Sequence, residues 1–140
     1  MRRRSILPLL AFAALPLAAS GCGSSSSAHA PSSNGPVRAV LGDYRITTNT
    51  ADPKTDHVTF AVKNEGKAAH ELVVLRTNRT AGSLGHGKRV PENGNVGETG
   101  DLRPGQSKKL TLTLKPGHYA LICNLPGHYA AGMHADFTIR

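Results

Sequence analysis

Residues 117–139 read GHYALICNLPGHYAAGMHADFTI, two strand-like segments joined by a loop. In the first segment Tyr119, Leu121 and Cys123 stand at alternate positions, so an extended chain would present them on one face. Residues 135–140 repeat the alternation, with an apolar side chain at every second position. A period of two is typical of half-buried β-strands. We therefore predict two strands with a loop between them.

The same pattern extends upstream to residue 37. Short alternating or β-branched stretches are separated by Gly, Pro, Asn and Asp, and no stretch has the apolar spacing of a helix. The predicted strands are residues 37–41, 44–48, 57–63, 71–76, 110–114, 119–123 and 135–140. Because 71–76 is almost continuously apolar, we expect a central strand covered on both faces. The pattern predicts an all-β fold, a two-sheet sandwich of seven or eight strands over roughly 100 residues.

Residues 80–100 do not follow this pattern. They are rich in glycine and polar residues, and their sizeable apolar side chains are Leu84, Val90 and Val96. We expect a long excursion between the sheets, of the kind that is either functional or poorly ordered. His86 within it is expected to be exposed.

The N-terminal region has the layout of a secretory signal. Three arginines at residues 2–4 precede an apolar run at residues 6–15 and then small residues. That run is shorter than the roughly 20 residues needed to span a bilayer, and prolines interrupt it, so a transmembrane helix is disfavoured. We predict a lipoprotein-type signal peptide at 1–21, a lipidated Cys22 with a flexible Ser/Gly/Pro linker at 22–36, and one folded domain at 37–140. The lipid assignment follows from Ala19-Ser20-Gly21-Cys22, which resembles the lipobox of bacterial lipoproteins.

Charge excludes one large class of partner. Removing the signal leaves 14 basic and nine acidic residues, so the formal charge falls from +8 to +5. The basic residues are scattered and few aromatic residues remain for stacking, so we expect no nucleic-acid binding. A basic surface on an exported protein favours acidic partner proteins or anionic lipid headgroups.

The few cysteine and methionine residues of the folded domain lie close together in the sequence, which favours a metal-binding role. With Cys22 assigned to lipid, the folded domain keeps one cysteine, Cys123, so an intrachain disulfide is impossible there. An unpaired thiol in an oxidising compartment needs burial or a metal. Apart from the initiator, the one methionine is Met133, ten residues after that cysteine.

Cys123, His128 and Met133 form a Cys-x4-His-x4-Met run. Thiolate, imidazole and thioether together suit copper, and a trigonal His2Cys set with a weak axial Met is an electron-transfer geometry. The missing histidine is assigned to His70, which begins a strand about fifty residues upstream, with His57 and His118 as alternatives. Zinc fits less well, because structural zinc sites use more closely spaced cysteines. A c-type haem would need Cys-x-x-Cys-His, which is absent from the sequence.

The remaining histidines are not assigned to the metal. His118 differs from Cys123 by an odd number of positions and should point to the opposite face of its strand. We expect His134 to be a surface residue and His29 to be solvated within the linker.

A wider set of motifs resembles the cupredoxin family. These are Val62-Lys63-Asn64-Glu65-Gly66 before His70, Leu102-Arg103-Pro104-Gly105, Pro116-Gly117-His118-Tyr119 and the Cys-His-Met loop. The resemblance implies a Greek-key β-sandwich that holds one copper ion, Cu(I) or Cu(II), near one end through His70, Cys123, His128 and Met133. The loop spacing is similar to that of plantacyanins, rusticyanin and sulfocyanin. Glu71 departs from the asparagine that many members have there, which leaves the hydrogen bonding of the cysteine sulfur open.

The resemblance implies a function as well. We expect a type 1 copper protein that carries single electrons outside the cytoplasmic membrane, not an enzyme. A monomer would meet redox partner proteins with acidic surfaces through the exposed edge of His128, ringed by Leu125, Pro126 and Tyr129. Two alternatives stay open: extracytoplasmic capture, delivery or tolerance of copper, and an interaction module without copper.

The lipid anchor gives a testable prediction. We expect Cys22→Ala to release the exported protein from the membrane fraction, because acyl chains contribute about 0.8 kcal/mol per buried CH2 and stable anchoring needs more than one chain. Membrane fractionation with a salt wash measures this. A variant that is exported and still sediments with membranes would contradict the assignment of Cys22.

Overall fold

The computed structural model describes residues 35–50 and 52–140. The predicted signal peptide, Cys22 and residues 23–34 of the predicted linker, His29 included, lie outside the described residues. Within the described part, one short 3-10 helix, Ala81–Ser83, accompanies eight strands, in agreement with the predicted all-β fold. The strands are β1 Val37–Gly42, β2 Arg45–Thr48, β3 His57–Asn64, β4 Val73–Arg76, β5 Asn95–Glu98, β6 Ser107–Thr113, β7 Gly117–Ile122 and β8 His134–Ile139.

The strands form two four-stranded sheets. The first has the order β2-β1-β3-β6 and the second the order β5-β4-β7-β8. Only β1 and β3 pair in parallel among these neighbours, and the other pairs are antiparallel. The chain changes sheet after β3, β5 and β6, so the predicted β-sandwich with Greek-key crossings is confirmed.

Alternating side chains from both sheets fill the space between them. On β3, Val58, Phe60 and Val62 are buried, and the ring of Phe60 lies 5.2 Å from that of Phe137 on β8. Cys123 and Met133 belong to this same apolar core. The core therefore reaches the loop that follows β7.

Three predicted strand starts were wrong by two or three residues. Strand β4 begins at Val73 rather than Glu71, because the residues before it leave the ladder and His70 forms an isolated bridge with Leu102. Strand β6 begins at Ser107, because its polar start pairs with the end of β3 even though it lacks an apolar alternation. Strand β7 begins at Gly117 rather than Tyr119, because Gly117 and His118 already pair with the end of β8.

Residues 80–100 differ most from the expectation. They contain the 3-10 helix and the edge strand β5, and their apolar side chains pack on the second sheet in a cluster separate from the core between the sheets. Leu84 and Val90 pack there on Leu75 and Ile122 in a second apolar cluster. Strand β4 is consequently buried on both faces, as its continuous apolar sequence predicted. His86 is exposed, as predicted.

Two side chains of the loop after β7 connect it to this covering segment. Tyr129 is buried, its hydroxyl donates to the Ala81 carbonyl oxygen at 2.6 Å, and it accepts the Leu84 N–H at 2.9 Å. The Asn124 side chain accepts the Val90 N–H at 2.8 Å and donates to the Val90 carbonyl oxygen at 3.0 Å. The loop and the segment are thus one packed unit.

Strand direction gives the sandwich two distinct ends. Strand β1 runs from Val37 to Gly42, and Gly42 is followed by a turn that touches His70. Strand β8 begins beside Met133 and runs back to Ile139, opposite the start of β7. At ~3.3 Å per residue, the two ends of these strands are separated by roughly 17–20 Å. The end at which the loops around His70 and Cys123 meet is here called the loop end.

No helix in residues 35–50 and 52–140 has the length and apolar character needed to cross a membrane.

The buried Tyr129 hydroxyl should contribute to folding stability. Tyr129→Phe leaves the Leu84 N–H and the Ala81 carbonyl oxygen without their partner inside the protein, which costs about 2 kcal/mol of unfolding free energy. Urea denaturation of the metal-free protein measures the change. Tyr44→Phe, which removes the same hydroxyl from a half-exposed ring, is the control and should change stability by less than about 0.5 kcal/mol. Equal effects for the two variants would contradict a specific role of Tyr129.

Candidate metal centre

Three side chains from separate parts of the chain meet at the loop end. A ligand-type atom of each of His70, Cys123 and His128 lies within 4.8 Å of those of the other two. The two Nδ1 atoms of the histidines are 3.1 Å apart, and Cys123 Sγ is 3.4 Å from His128 Nδ1. His70 and Cys123 are fully buried, whereas His128 is partly exposed.

His70 is held by the turn that follows β3. The buried Asn64 side chain donates to the carbonyl oxygens of Ala68 and Leu102, both at 2.8 Å, and accepts the Gly66 N–H at 2.8 Å. His70 and Leu102 exchange main-chain hydrogen bonds at 3.0 and 2.7 Å. The main chain around His70 is therefore held in place by hydrogen bonds that do not involve its side chain.

Cys123 directly follows β7, and its sulfur accepts the main-chain N–H of Glu71 at 3.4 Å. The Glu71 carboxylate accepts the Asn124 N–H at 3.1 Å. The substitution of glutamate for asparagine therefore leaves the sulfur hydrogen bond in place, because the donor is main chain. The acidic side chain instead holds the residue after the cysteine.

The loop from Cys123 to Met133 is closed by main-chain bonds. The Cys123 N–H donates to the Met133 carbonyl oxygen at 3.1 Å, and the Met133 N–H donates to the His128 carbonyl oxygen at 3.1 Å. Gly127, at φ 87°, supplies the left-handed turn before His128, and its N–H donates to the Lys88 carbonyl oxygen at 2.7 Å. Met133 is fully buried beside Cys123 in the core.

Burial controls the protonation of the cluster. It raises the pKa of the Cys123 thiol, against which the N–H groups of Glu71 and Leu125 act more weakly. Burial, followed by the charge of His70, lowers the pKa of His128. Desolvation also raises the pKa of Glu71. At neutral pH the metal-free cluster therefore holds a protonated thiol and a neutral His128.

The other histidines lie elsewhere. His57 stands at the opposite end of β3 from Asn64, with Nδ1 3.3 Å from Thr113 Oγ1. His118 contacts the Thr77 carbonyl oxygen at 2.8 Å and Asp136 at 2.9 Å, away from Cys123 as predicted. The structure thus brings His70, and neither alternative, to Cys123 and His128.

One expectation about the surroundings was wrong. Tyr129 was expected in an exposed patch beside His128, but it is buried under the covering segment because its hydroxyl has two main-chain partners there. His134, expected at the surface, is partly exposed, and its ring lies 5.2 Å from that of Tyr129.

Two residues beside the cluster were not identified from the sequence. Asp43 Oδ1 lies 2.8 Å from His70 Nε2, and hydrogen bonds from the Lys67 N–H and then from His70 lower the pKa of Asp43. The ring of Tyr44, 49% exposed, meets that of His128 edge-on with centroids 5.4 Å apart. Both residues lie in the turn between β1 and β2, and no spacing motif connects them to the histidines.

The donor set fits a copper ion. Divalent metal ions such as zinc bind nitrogen and sulfur ligands at about 2.0–2.3 Å, so ligand atoms that share one such ion lie about 3–4 Å apart. The distances of 3.1 and 3.4 Å are in that range. Two imidazoles and one thiol at one end of a β-sandwich define a copper-binding protein of the cupredoxin class, in which His70, Cys123 and His128 are a possible site for one copper ion.

Comparison with known protein families agrees with this assignment to the cupredoxins. Residues 46–140 match the family described as copper binding proteins, plastocyanin/azurin family. The match covers more than half of the chain, and the protein belongs to this family.

Two curated relatives are similar over most of the chain. A copper-resistant cuproprotein, CopI, of Pseudomonas aeruginosa is 27% identical over 136 residues, covering 74% of this chain and 75% of the relative. The CopI of Vibrio cholerae is 32% identical over 106 residues, covering 69% of this chain and 60% of the relative. The chain therefore spans less than two thirds of the length of the Vibrio cholerae protein.

Solved structures show the same fold. A reduced auracyanin from Roseiflexus castenholzii has a TM-score of 0.57 at 23% identity, covering 74% of this chain and 94% of that one. Rusticyanin from Thiobacillus ferrooxidans has a TM-score of 0.58 at 16% identity, covering 74% of this chain and 75% of that one.

The raised pKa of Cys123 makes metal binding depend on pH. A metal needs the thiolate, so binding should release about one proton per ion near neutral pH, and the affinity should rise with pH until the free thiol ionises. Titration with redox-inert Zn²⁺ at several pH values measures both quantities. Cys123→Ser is the control and should bind more weakly without that proton release. A wild-type affinity independent of pH would contradict a buried thiol ligand.

Proposed function

We propose that the protein is a type 1 copper protein that carries single electrons, with His70, Cys123 and His128 around the ion and Met133 as a weak axial ligand. Copper, when bound, supplies one-electron cycling between Cu(II) and Cu(I). Within this proposal the protein acts as a carrier and not as an enzyme.

The observation that carries the proposal is the preformed His-Cys-His cluster, in which His70 and Cys123 are buried and His128 is partly exposed. Three ligand atoms lie within 4.8 Å of one another on main-chain segments that are hydrogen-bonded on both sides. A site fixed in this way changes little between two oxidation states, so transfer needs little reorganisation. The full burial of Met133 beside Cys123 supports a thioether at the axial position.

The exposed surface around His128 suits brief encounters with other proteins. The partly exposed His128 is flanked by Tyr44, 49% exposed, by the half-exposed Leu125 and by the exposed Pro126. In this proposal Tyr44, rather than Tyr129 as predicted from the sequence, is the aromatic residue of the patch around His128. We propose that electrons leave through His128 across a small interface of the kind used by redox partners.

Charge suggests the kind of partner. Lys67 contacts Asp43 through its N–H and is exposed, and the exposed Lys88 contacts Gly127 through its carbonyl oxygen, so both lie near the loop end. A redox partner with an acidic surface would complement them. The proposed place of action is outside the cytoplasmic membrane, with lipid on Cys22 as the anchor.

A second candidate function is copper tolerance by capture or delivery of the ion. It is favoured by the similarity to two proteins named copper-resistant cuproproteins. Protection of copper-challenged cells separates the two candidates. Met133→Leu should keep copper but change its reduction potential. If the role is copper capture, this variant should protect cells as well as wild type does. If the role is electron transfer, the degree of protection should differ from that of wild type.

Cys123 provides the test of the function. Copper-loaded wild type should show an intense visible band from thiolate-to-Cu(II) charge transfer, lose it on accepting one electron and regain it on reoxidation. Cys123→Ser should lose the band even if copper stays on the histidines, because a hydroxyl cannot supply that transition. Cys22→Ser, the same substitution outside the site, should keep it. Release of copper on reduction of the wild type would contradict a carrier role.

Met133 should tune the site more than hold it. Met133→Gln should keep copper and lower the reduction potential, because the harder amide oxygen favours Cu(II) more than a thioether does. Met133→Leu, which offers no axial donor, should raise the potential. Voltammetry measures both, and ~59 mV corresponds to a tenfold change in equilibrium constant for one electron. If neither variant shifts the potential, Met133 is a packing residue.

A further inference from the structure

Asp43 binds the buried ligand His70 from a turn that is 27 residues earlier in the chain. Its Oδ1 is 2.8 Å from His70 Nε2, and its carboxylate also accepts the Lys67 N–H at 2.8 and 3.0 Å and the Ala68 N–H at 3.4 Å. The Asp43 side chain is 29% exposed, whereas that of His70 is 0% exposed. Several N–H donors thus converge on one carboxylate that reaches the buried imidazole from the solvent side.

The contact needs a glycine beside it. A Cβ at position 66 would overlap Asp43 Oδ1 and lie 2.6 Å from His70 Nε2. Gly66 is not among the glycines with positive φ, so its backbone conformation is open to other residues. Glycine at this position is therefore explained by the space that the Asp43–His70 hydrogen bond occupies.

The hydrogen bond determines which nitrogen of His70 is free. A carboxylate can only accept, so Nε2 must carry the proton, and a neutral imidazole then has an unprotonated Nδ1. That Nδ1 is the atom that lies 3.1 Å from His128 Nδ1 within the cluster. A carboxylate on the far side of a ligating histidine also increases the electron donation of the ring to a bound ion.

We propose that Asp43 is a positioning residue of the metal centre: its carboxylate fixes the His70 ring with Nδ1 toward the ion and stabilises Cu(II) over Cu(I). This inference rests on the proposed copper site. It adds a residue that lies outside the ligand set and outside the Cys-His-Met loop, and it assigns that residue an effect on the reduction potential.

A purely structural role for Asp43 is the competing explanation, since the same carboxylate holds the turn at Lys67 and Ala68. The two roles separate in the potential. Loss of a structural contact lowers the unfolding midpoint and leaves the ratio of Cu(I) to Cu(II) affinities unchanged. Loss of a charged hydrogen bond to the ligand changes that ratio.

The experiment uses copper-loaded Asp43→Asn, which keeps the size of the side chain and removes its charge. We expect the Cu(II) affinity to fall about tenfold or more relative to that for Cu(I), a rise of ~59 mV or more in the one-electron potential. Asp101→Asn is the matched control. It removes the same charge from an exposed residue close enough to influence Cys123, but Asp101 is not the hydrogen-bond partner of His70.

The outcomes are distinguishable. A wild-type protein without the thiolate-to-copper band would refute the proposed copper site itself. A normal wild type with equal potentials for Asp43→Asn and Asp101→Asn would overturn the role of Asp43 alone. A rise confined to Asp43→Asn supports it.

A second measurement on the wild type applies even if Asp43→Asn does not fold. In the diamagnetic Cu(I) protein, nuclear magnetic resonance should detect a His70 Nε2–H that exchanges slowly with water, because Asp43 accepts it. The partly exposed His128 in the same sample is the internal reference. Exchange of the two ring protons at equal rates would overturn the inference.

Discussion

The antiparallel pairing of β7 with β8 is the constraint on which the candidate metal centre depends. Ile122 lies opposite His134, so the next residues on each strand, Cys123 and Met133, face each other and are joined by a main-chain hydrogen bond. The intervening loop must then fold back on itself within a fixed span. His128, whose carbonyl oxygen accepts the Met133 N–H, is thereby brought over the sulfur of Cys123.

The other histidine depends on the neighbouring strand pair. Val73 on β4 is opposite Ile122, so the residues that precede β4 run beside those that follow β7. This arrangement lets the Glu71 N–H reach the cysteine sulfur and places His70 next to it. The first sheet then completes the surroundings through Asn64 and Asp43, which contact the turn around His70. The site therefore requires both sheets to be packed together.

Contacts between residues close in the sequence could be predicted from the sequence, whereas some contacts between distant segments could not. The sandwich followed from alternating apolar residues, and the cluster of Cys123 with His128 followed from their positions in one loop. Asp43 could not be found in this way, because its contact with His70 arises from the packing of two turns and has no spacing motif. Tyr129 was misplaced because an aromatic residue next to His128 has the same sequence pattern whether its hydroxyl meets solvent or, as here, main-chain groups.

The directions of β1 and β8 determine which end of the protein faces outward when it is attached to a surface through the start of β1 or the end of β8. Val37 and Ile139 lie at the end of the sandwich opposite the metal centre, and Arg140 makes an ion pair with Asp52 at 2.7 Å. If the protein is attached to an electrode through either of these strand ends, its copper-binding face points into the solution, where a diffusing protein can reach it without meeting the support.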